Sequence, residues 1–141
     1  MMRPRKLPLR TISRHPRVLS RVVATPPLVY PDDVINFAVE AYGRDDSSAA
    51  HDIRAVAGEL IANAIEHGNQ RDPTKTIGVY CLRLRNFYVA VTDEGEGFDV
   101  CKPPFVPGRS GVPPEGGIGL AFVKFRTVSL YNDGSAVIAV F

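Results

Sequence analysis

GELIANAIEHGN, residues 58–69, is rich in the Ala, Leu and Ile that favour a helix, yet it sets Glu59, Asn63, Glu66 and His67 three or four residues apart. At 100° per residue, Asp52, Glu59, Asn63 and Glu66 fall within about 60° of one another, while Ile53, Ala57, Leu60, Ile61 and Ala64 take the other side. A solvated helix face ordinarily carries Lys, Gln or Arg and Glu-to-Lys pairs. This stripe has neither, and Asn63 is a poor residue for the middle of a helix. A carboxylate and an amide oxygen one turn apart can both point at one hard cation or one phosphate-bearing ligand.

Composition limits the answer. The chain of 141 residues fits one domain with a real core, and 45% hydrophobic and 23% charged residues describe a globular protein. No apolar run approaches 18 residues, so no membrane span is expected. The basic N-terminus lacks the apolar core of a signal peptide, and the expected location is the cytoplasm. Cys81 and Cys101 stand alone, without C-x-x-C spacing or a nearby His, and read as ordinary reduced thiols. Residues 1 to 21 hold seven of the 17 basic side chains and no acid, leaving ten basic against fifteen acidic groups, a net of −5, in the remainder. Such a tail can contact nucleic acid or an acidic surface by charge alone. Pro4, Pro8 and Pro16 argue against regular helix there, and no aromatic residues interleave for base stacking, so a flexible solvated leader over residues 1–20, ahead of a domain over 21–141, is the expectation, with no direct nucleic-acid contact.

The patterns along the domain alternate in period. A strand near Val18 to Ala24 is followed by a helix from Asp32 to Tyr42, where Val34, Ile35, Phe37, Ala38 and Tyr42 recur at helical spacing and two acids open the first turn. A longer helix runs from the polar turn at 45–48 to about His67, ended by Gly68, Asn69 and Asp72-Pro73. Thr76 to Arg83 and Phe87 to Thr92 read as a hairpin. Glu94 to Gly117, with five prolines, is too long for a passive connection. A short helix from Ile118 to about Phe125 and two strands, Val128 to Tyr131 and Ala136 to Phe141, close the chain around Asn132-Asp133-Gly134. The order predicts an α+β two-layer sandwich, with helices on one face of a mixed, mainly antiparallel sheet.

Two further segments carry chemistry. In VTDEGEGFD, residues 91–99, an apolar strand runs into Asp93, and Gly95 and Gly97 permit close backbone approach; a plain β-turn explains the same letters. In EGGIGLAFVKF, residues 115–125, glycines open a helix, a ready anion site. Neither a G-x-x-x-x-G-K-[ST] loop nor a G-x-G-x-x-G turn after a first strand is present.

In this order the three segments resemble the N, G1 and G2 boxes of the Bergerat ATP-binding fold shared by gyrase, Hsp90 chaperones, histidine kinases and MutL. The NAIEHG and GGIGLAFV wording most resembles the bacterial anti-sigma factors that act as serine kinases, over roughly residues 21–141. The resemblance implies ATP and Mg²⁺, with Asn63 as metal ligand and Glu59 as general base toward a serine hydroxyl or water. It places Asp93 on the adenine amino group, Gly95 and Gly97 over the base, and Gly117 and Gly119 on the phosphates. His67 lines the phosphate side or caps helix carbonyls. Thr127 adds a contact near adenine. Residues 98 to 115 form a lid, whose prolines could stiffen it and whose Lys102 or Arg109 either reaches the γ-phosphate or is an exposed loop cation.

The activity so implied is that of an ATP-dependent anti-sigma factor, expected as a homodimer, which holds a sigma factor and phosphorylates a serine on a small STAS-type antagonist. The alternative is a nucleotide-gated regulator of the same fold without kinase activity, though retention of Glu59 speaks against it. The catalytic domain of a two-component histidine kinase would need a phosphoacceptor on a dimerisation helix, which His15 beside Pro16 does not supply.

Overall fold

The computed structural model describes residues 4–24, 32–44, 47–95, 123 and 126–141. Its elements are α1 (Leu9–Ser13), β1 (Leu19–Ala24), α2 (Asp32–Tyr42), α3 (Ser47–Asn63), a π-helical turn (Ala64–Gly68), β2 (Thr76–Arg83), β3 (Phe87–Thr92), β4 (Ser129–Asp133) and β5 (Ala136–Val140). The strands form one sheet in the order β1-β2-β3-β5-β4. Every pairing is antiparallel among the described residues. The α+β architecture is the expected one. The β4–β5 turn is Gly134–Ser135, because Asn132 and Asp133 still pair with Val137 and Ala136.

Alternation along the strands divides the side chains between two faces. Ile77, Val79 and Cys81 of β2, Val89 and Val91 of β3, and Val137 and Ala139 of β5 form one core with the apolar sides of α2 and α3. Ile53, Val56, Ala57 and Ile61 of α3 are fully buried in it, which is the packing their helical spacing predicts. Burial pushes the Cys81 thiol up to about 12, so it stays an inert thiol at neutral pH.

The other face carries Leu82, Tyr88, Ala90, Ile138 and Val140, and it is covered by the chain's own N-terminal segment through Leu7 and Ile12. Here the structure differs from the expectation of a solvated leader without helix. Pro8 sits at the N-cap of α1, where its carbonyl accepts from the Thr11 and Ile12 amides and its missing N–H costs nothing; Pro16 lies beyond the helix. The prolines bound a five-residue helix instead of forbidding it. Three hydrogen bonds tie this strap down: Tyr88 Oη donates to the Arg5 carbonyl (2.7 Å), Tyr131 Oη to the Leu7 carbonyl (2.7 Å), and the Leu9 amide to Asp133 Oδ2 (2.6 Å).

Register fixes the ends of the molecule. The exit of β3 pairs with the start of β5 (Thr92 with Ala136) and lies beside the start of β2 (Gly78 with Thr92); this is the upper end. The start of β4 pairs with the end of β5 (Ser129 with Val140) at the lower end. No helix among the described residues is long and apolar enough to cross a membrane.

Candidate functional site

The site is built where α3 runs out at the upper end. The α-helix stops at Asn63, and the next five residues form a π turn in which the Asn69 amide donates to the Ala64 carbonyl (2.8 Å) and the Arg71 amide to the Ile65 carbonyl (2.8 Å). The expected helix to about His67 thus continues, but in another form. One extra residue in the turn shifts everything after Asn63 off the 100° phase, and such turns recur at functional sites. Gln70 and Arg71 follow with φ of 51° and 59°, left-handed values that cost non-glycine residues roughly 1–2 kcal/mol each.

Asn63 is 3% exposed, and its Nδ2 has no hydrogen-bond partner among the described residues. A buried amide left unpaired costs about 1–3 kcal/mol, which a ligand bound there would offset. Glu59, half-buried, lies one turn earlier on the same helix. Five residues beyond Asn63, about 7 Å along the helix, Gly68 meets the exit of β3. A Cβ on Gly68 would collide with the Asp93 carboxylate, and one on Gly95 with the Gly68 carbonyl oxygen. Glycine is required at both positions because helix end and strand exit touch there.

Asp93 is 7% exposed, and its Oδ1 accepts from the Gly95 amide (2.8 Å). Burial raises its pKa, opposed by the Gly95 hydrogen bond and by the charge of Lys75. The Glu94 carboxylate turns away from it and accepts from the Thr76 amide (2.5 Å) and hydroxyl (3.3 Å). Between helix and strands stands Asn69, fully buried, whose Nδ2 donates to the Thr76 carbonyl (2.9 Å) and whose Oδ1 accepts from the Glu94 amide (2.8 Å). The sequence reading treats Asn69 only as a helix terminator. Its signal is a side chain with one donor and one acceptor at the point where three segments must meet.

The remaining expected residues divide. Asp93 and Gly95 meet the helix end at Gly68, and Asn63 and Glu59 precede that contact along the same run of helix. Glu66 leaves the polar stripe and pairs with Arg71 at 3.2 Å, and Asp52 pairs with Arg126 at 2.6 Å, so these two acids are accounted for structurally. His67 is exposed on the π turn. Thr127 is a correction: it directly precedes β4, whose first residue pairs with Val140 at the lower end, and its neighbour Arg126 is held by Asp52 in the first part of α3. Its hydroxyl donates to the Val123 carbonyl (3.1 Å). A strand of five residues, about 17 Å, separates Thr127 from the level of Asp93. Within the β4–β5 hairpin, register brings Ser135, next to Ala136, to the upper end, where Thr92 and Thr76 also stand. Gly97, Gly117, Gly119, Cys101, Lys102, Arg109 and the expected lid lie outside the described residues, as does most of the expected short helix, of which Val123 is buried in the core beside α2 and α3.

Two helices thus lie on an antiparallel sheet, with Glu-x-x-x-Asn ending one helix and an Asp-x-Gly strand exit meeting the turn that follows it. The sequence pattern of the histidine kinase-like ATPase domain matches residues 33–139, and the chain belongs to that family. ATP binding is the chemistry that membership carries. No curated protein matches the sequence.

Proposed function

We propose that the protein is an ATP-dependent anti-sigma factor of this family, which binds a sigma factor and transfers the γ-phosphoryl group of ATP to a serine of a STAS-type antagonist. The observation that carries the reading is the buried, incompletely paired Asn63 amide one turn after Glu59, at the same end of the sheet as Asp93. Phosphoryl transfer needs positioning, charge neutralisation and one base more than covalent help from the protein. Glu59 accepts the proton of the attacking serine hydroxyl. Asp93 accepts a hydrogen bond from the adenine amino group, and guanine, with a carbonyl there, offers none. Asn63 is the side chain assigned to Mg²⁺, which its Oδ1 would hold, while its Nδ2 is a donor suited to a phosphate oxygen. Magnesium, when bound, neutralises charge on the phosphates.

Incubation with Mg-ATP and a candidate STAS-type antagonist tests the reading. Phosphoserine is expected with the wild-type protein and a loss of about 10²–10⁴-fold with Glu59→Ala, which still binds ATP. Equal phosphorylation by both rules out Glu59 as the base. ATP binding with no phosphoserine from the wild type leaves a nucleotide-gated regulator instead.

A further inference from the structure

Asp93 is the most consequential side chain at the nucleobase end, yet little in its own strand fixes where it stands, because β3 ends at Thr92. Its carboxylate is aligned from outside the strand by contact with Gly68 and by the Gly95 amide. Both alignments involve backbone that Asn69 adjoins or holds. That residue directly follows Gly68, and its Oδ1 holds the amide of Glu94, the residue between Asp93 and Gly95. Its Nδ2 holds the Thr76 carbonyl at the start of β2. The orientation of the amide admits no alternative, since a backbone carbonyl only accepts and a backbone N–H only donates.

Around this side chain the backbone is under constraint. Its own N–H closes the π turn onto Ala64, and the two residues after it, Gln70 and Arg71, are held at positive φ. Strained backbone of this kind persists only where its surroundings over-determine it. The fully buried Asn69 amide provides that determination where the end of the π turn meets the start of β2 and the exit of β3.

We infer that Asn69 is a positioning residue for nucleobase recognition: by clamping the end of α3 to the exit of β3 and the start of β2, it sets the Asp93 carboxylate at the place from which it reads the adenine amino group. This rests on the ATP-binding reading above and extends it to a residue that touches no nucleotide. The clamp acts on direction more than on presence. Without it Asp93 still exists and still ionises, but its oxygens are no longer held against Gly68, and the difference between a base bearing an exocyclic amine and one lacking it is lost.

The test is a ratio of affinities: ATP against purine riboside triphosphate, which lacks the 6-amino group, measured by titration on the full chain. Thermal unfolding is followed in parallel. Wild type is expected to favour ATP by tenfold or more, and Asn69→Ala to bring that ratio within about threefold of unity, mainly by weakening ATP binding. A merely structural role would weaken both nucleotides alike and leave the ratio intact, and that result overturns the inference. Asn69→Asp keeps the acceptor toward the Glu94 amide and is expected to recover part of the ratio. Should Asn69→Ala fail to show a cooperative melt, Asn69→Ser, too short to span both strands, is judged by the same ratio. Wild type that binds ATP without preferring it over purine riboside triphosphate would instead refute the assignment of Asp93 to adenine, and the role of Asn69 with it.

Discussion

The two ends of the sheet are made of different materials. At the lower end, Tyr42 meets Phe87 edge-on with ring centroids 5.3 Å apart, Phe87 meets Phe141 at 6.3 Å, and the Arg83 guanidinium lies 4.5 Å above the Tyr42 ring. That end is closed by aromatic area and by the last residue of the chain, whose carbonyl also accepts from Asn86 Nδ2 (3.2 Å). At the upper end Asn63, Asn69 and Asp93 are buried polar groups, two left-handed non-glycine residues are strained, and two glycines are in contact with what faces them. One end supplies stability. The other gives some of it up to hold polar atoms where a ligand can use them.

If this division is real, changes at the two ends should separate folding from binding. Phe87→Ala is expected to have the largest effect, a loss of about 3–5 kcal/mol of stability in urea denaturation, with the ATP affinity of the folded fraction unchanged. A matching loss of ATP affinity would mean that the lower end reaches the site. Gly95→Ala should lower stability by about 1–3 kcal/mol, because its Cβ meets backbone that cannot turn aside, and should weaken ATP binding disproportionately. Titration of ATP into the refolded variant checks this.

Asp93→Asn sharpens the comparison, since its two effects have opposite sign. ATP affinity should fall by about 1–3 kcal/mol through a mismatched buried contact. Stability of the free protein should rise at neutral pH. The folded-state pKa of Asp93 lies above its unfolded value because burial disfavours the charge, so its favourable contribution is complete below the ordinary aspartate range and is lost as pH rises through the folded value. The advantage of the asparagine should therefore be seen in melting temperatures at pH 7 and vanish near pH 3. A variant less stable than wild type at pH 7 would show that the Gly95 and Lys75 interactions outweigh burial. Smallest of all, Tyr131→Phe removes one hydrogen bond to the strap and should cost about 0.5–1.5 kcal/mol with no change in ATP affinity, as read by melting and titration.

Most of the frame was legible in the letters. β-Branched and aromatic residues marked out Thr76–Arg83 and Phe87–Thr92, and helical spacing with two leading acids marked out Asp32–Tyr42. What escaped depended on long-range geometry. Leu7 and Ile12 are isolated apolar residues among cations and prolines, and nothing local says that a sheet face awaits them. A π turn and an α-helix have the same composition, so the displacement of Glu66 from the stripe had no signature in the sequence. The place of Thr127 is not legible locally, because only strand register tells which end of the sheet a residue before β4 occupies. Asn69 looked like punctuation because its two partners, Thr76 and Glu94, lie 7 and 25 residues away.

The strap has a practical corollary. Among the described residues, Leu7, Leu9 and Ile12 lie across Leu82, Tyr88, Ala90, Ile138 and Val140 and help to keep them dry. Trimming that stretch in pursuit of a tidier crystallisation target would bare a continuous oily surface and leave two tyrosine hydroxyls without their carbonyl acceptors. The shortened product would be a sticky particle, whose self-association could be mistaken for a biological dimer.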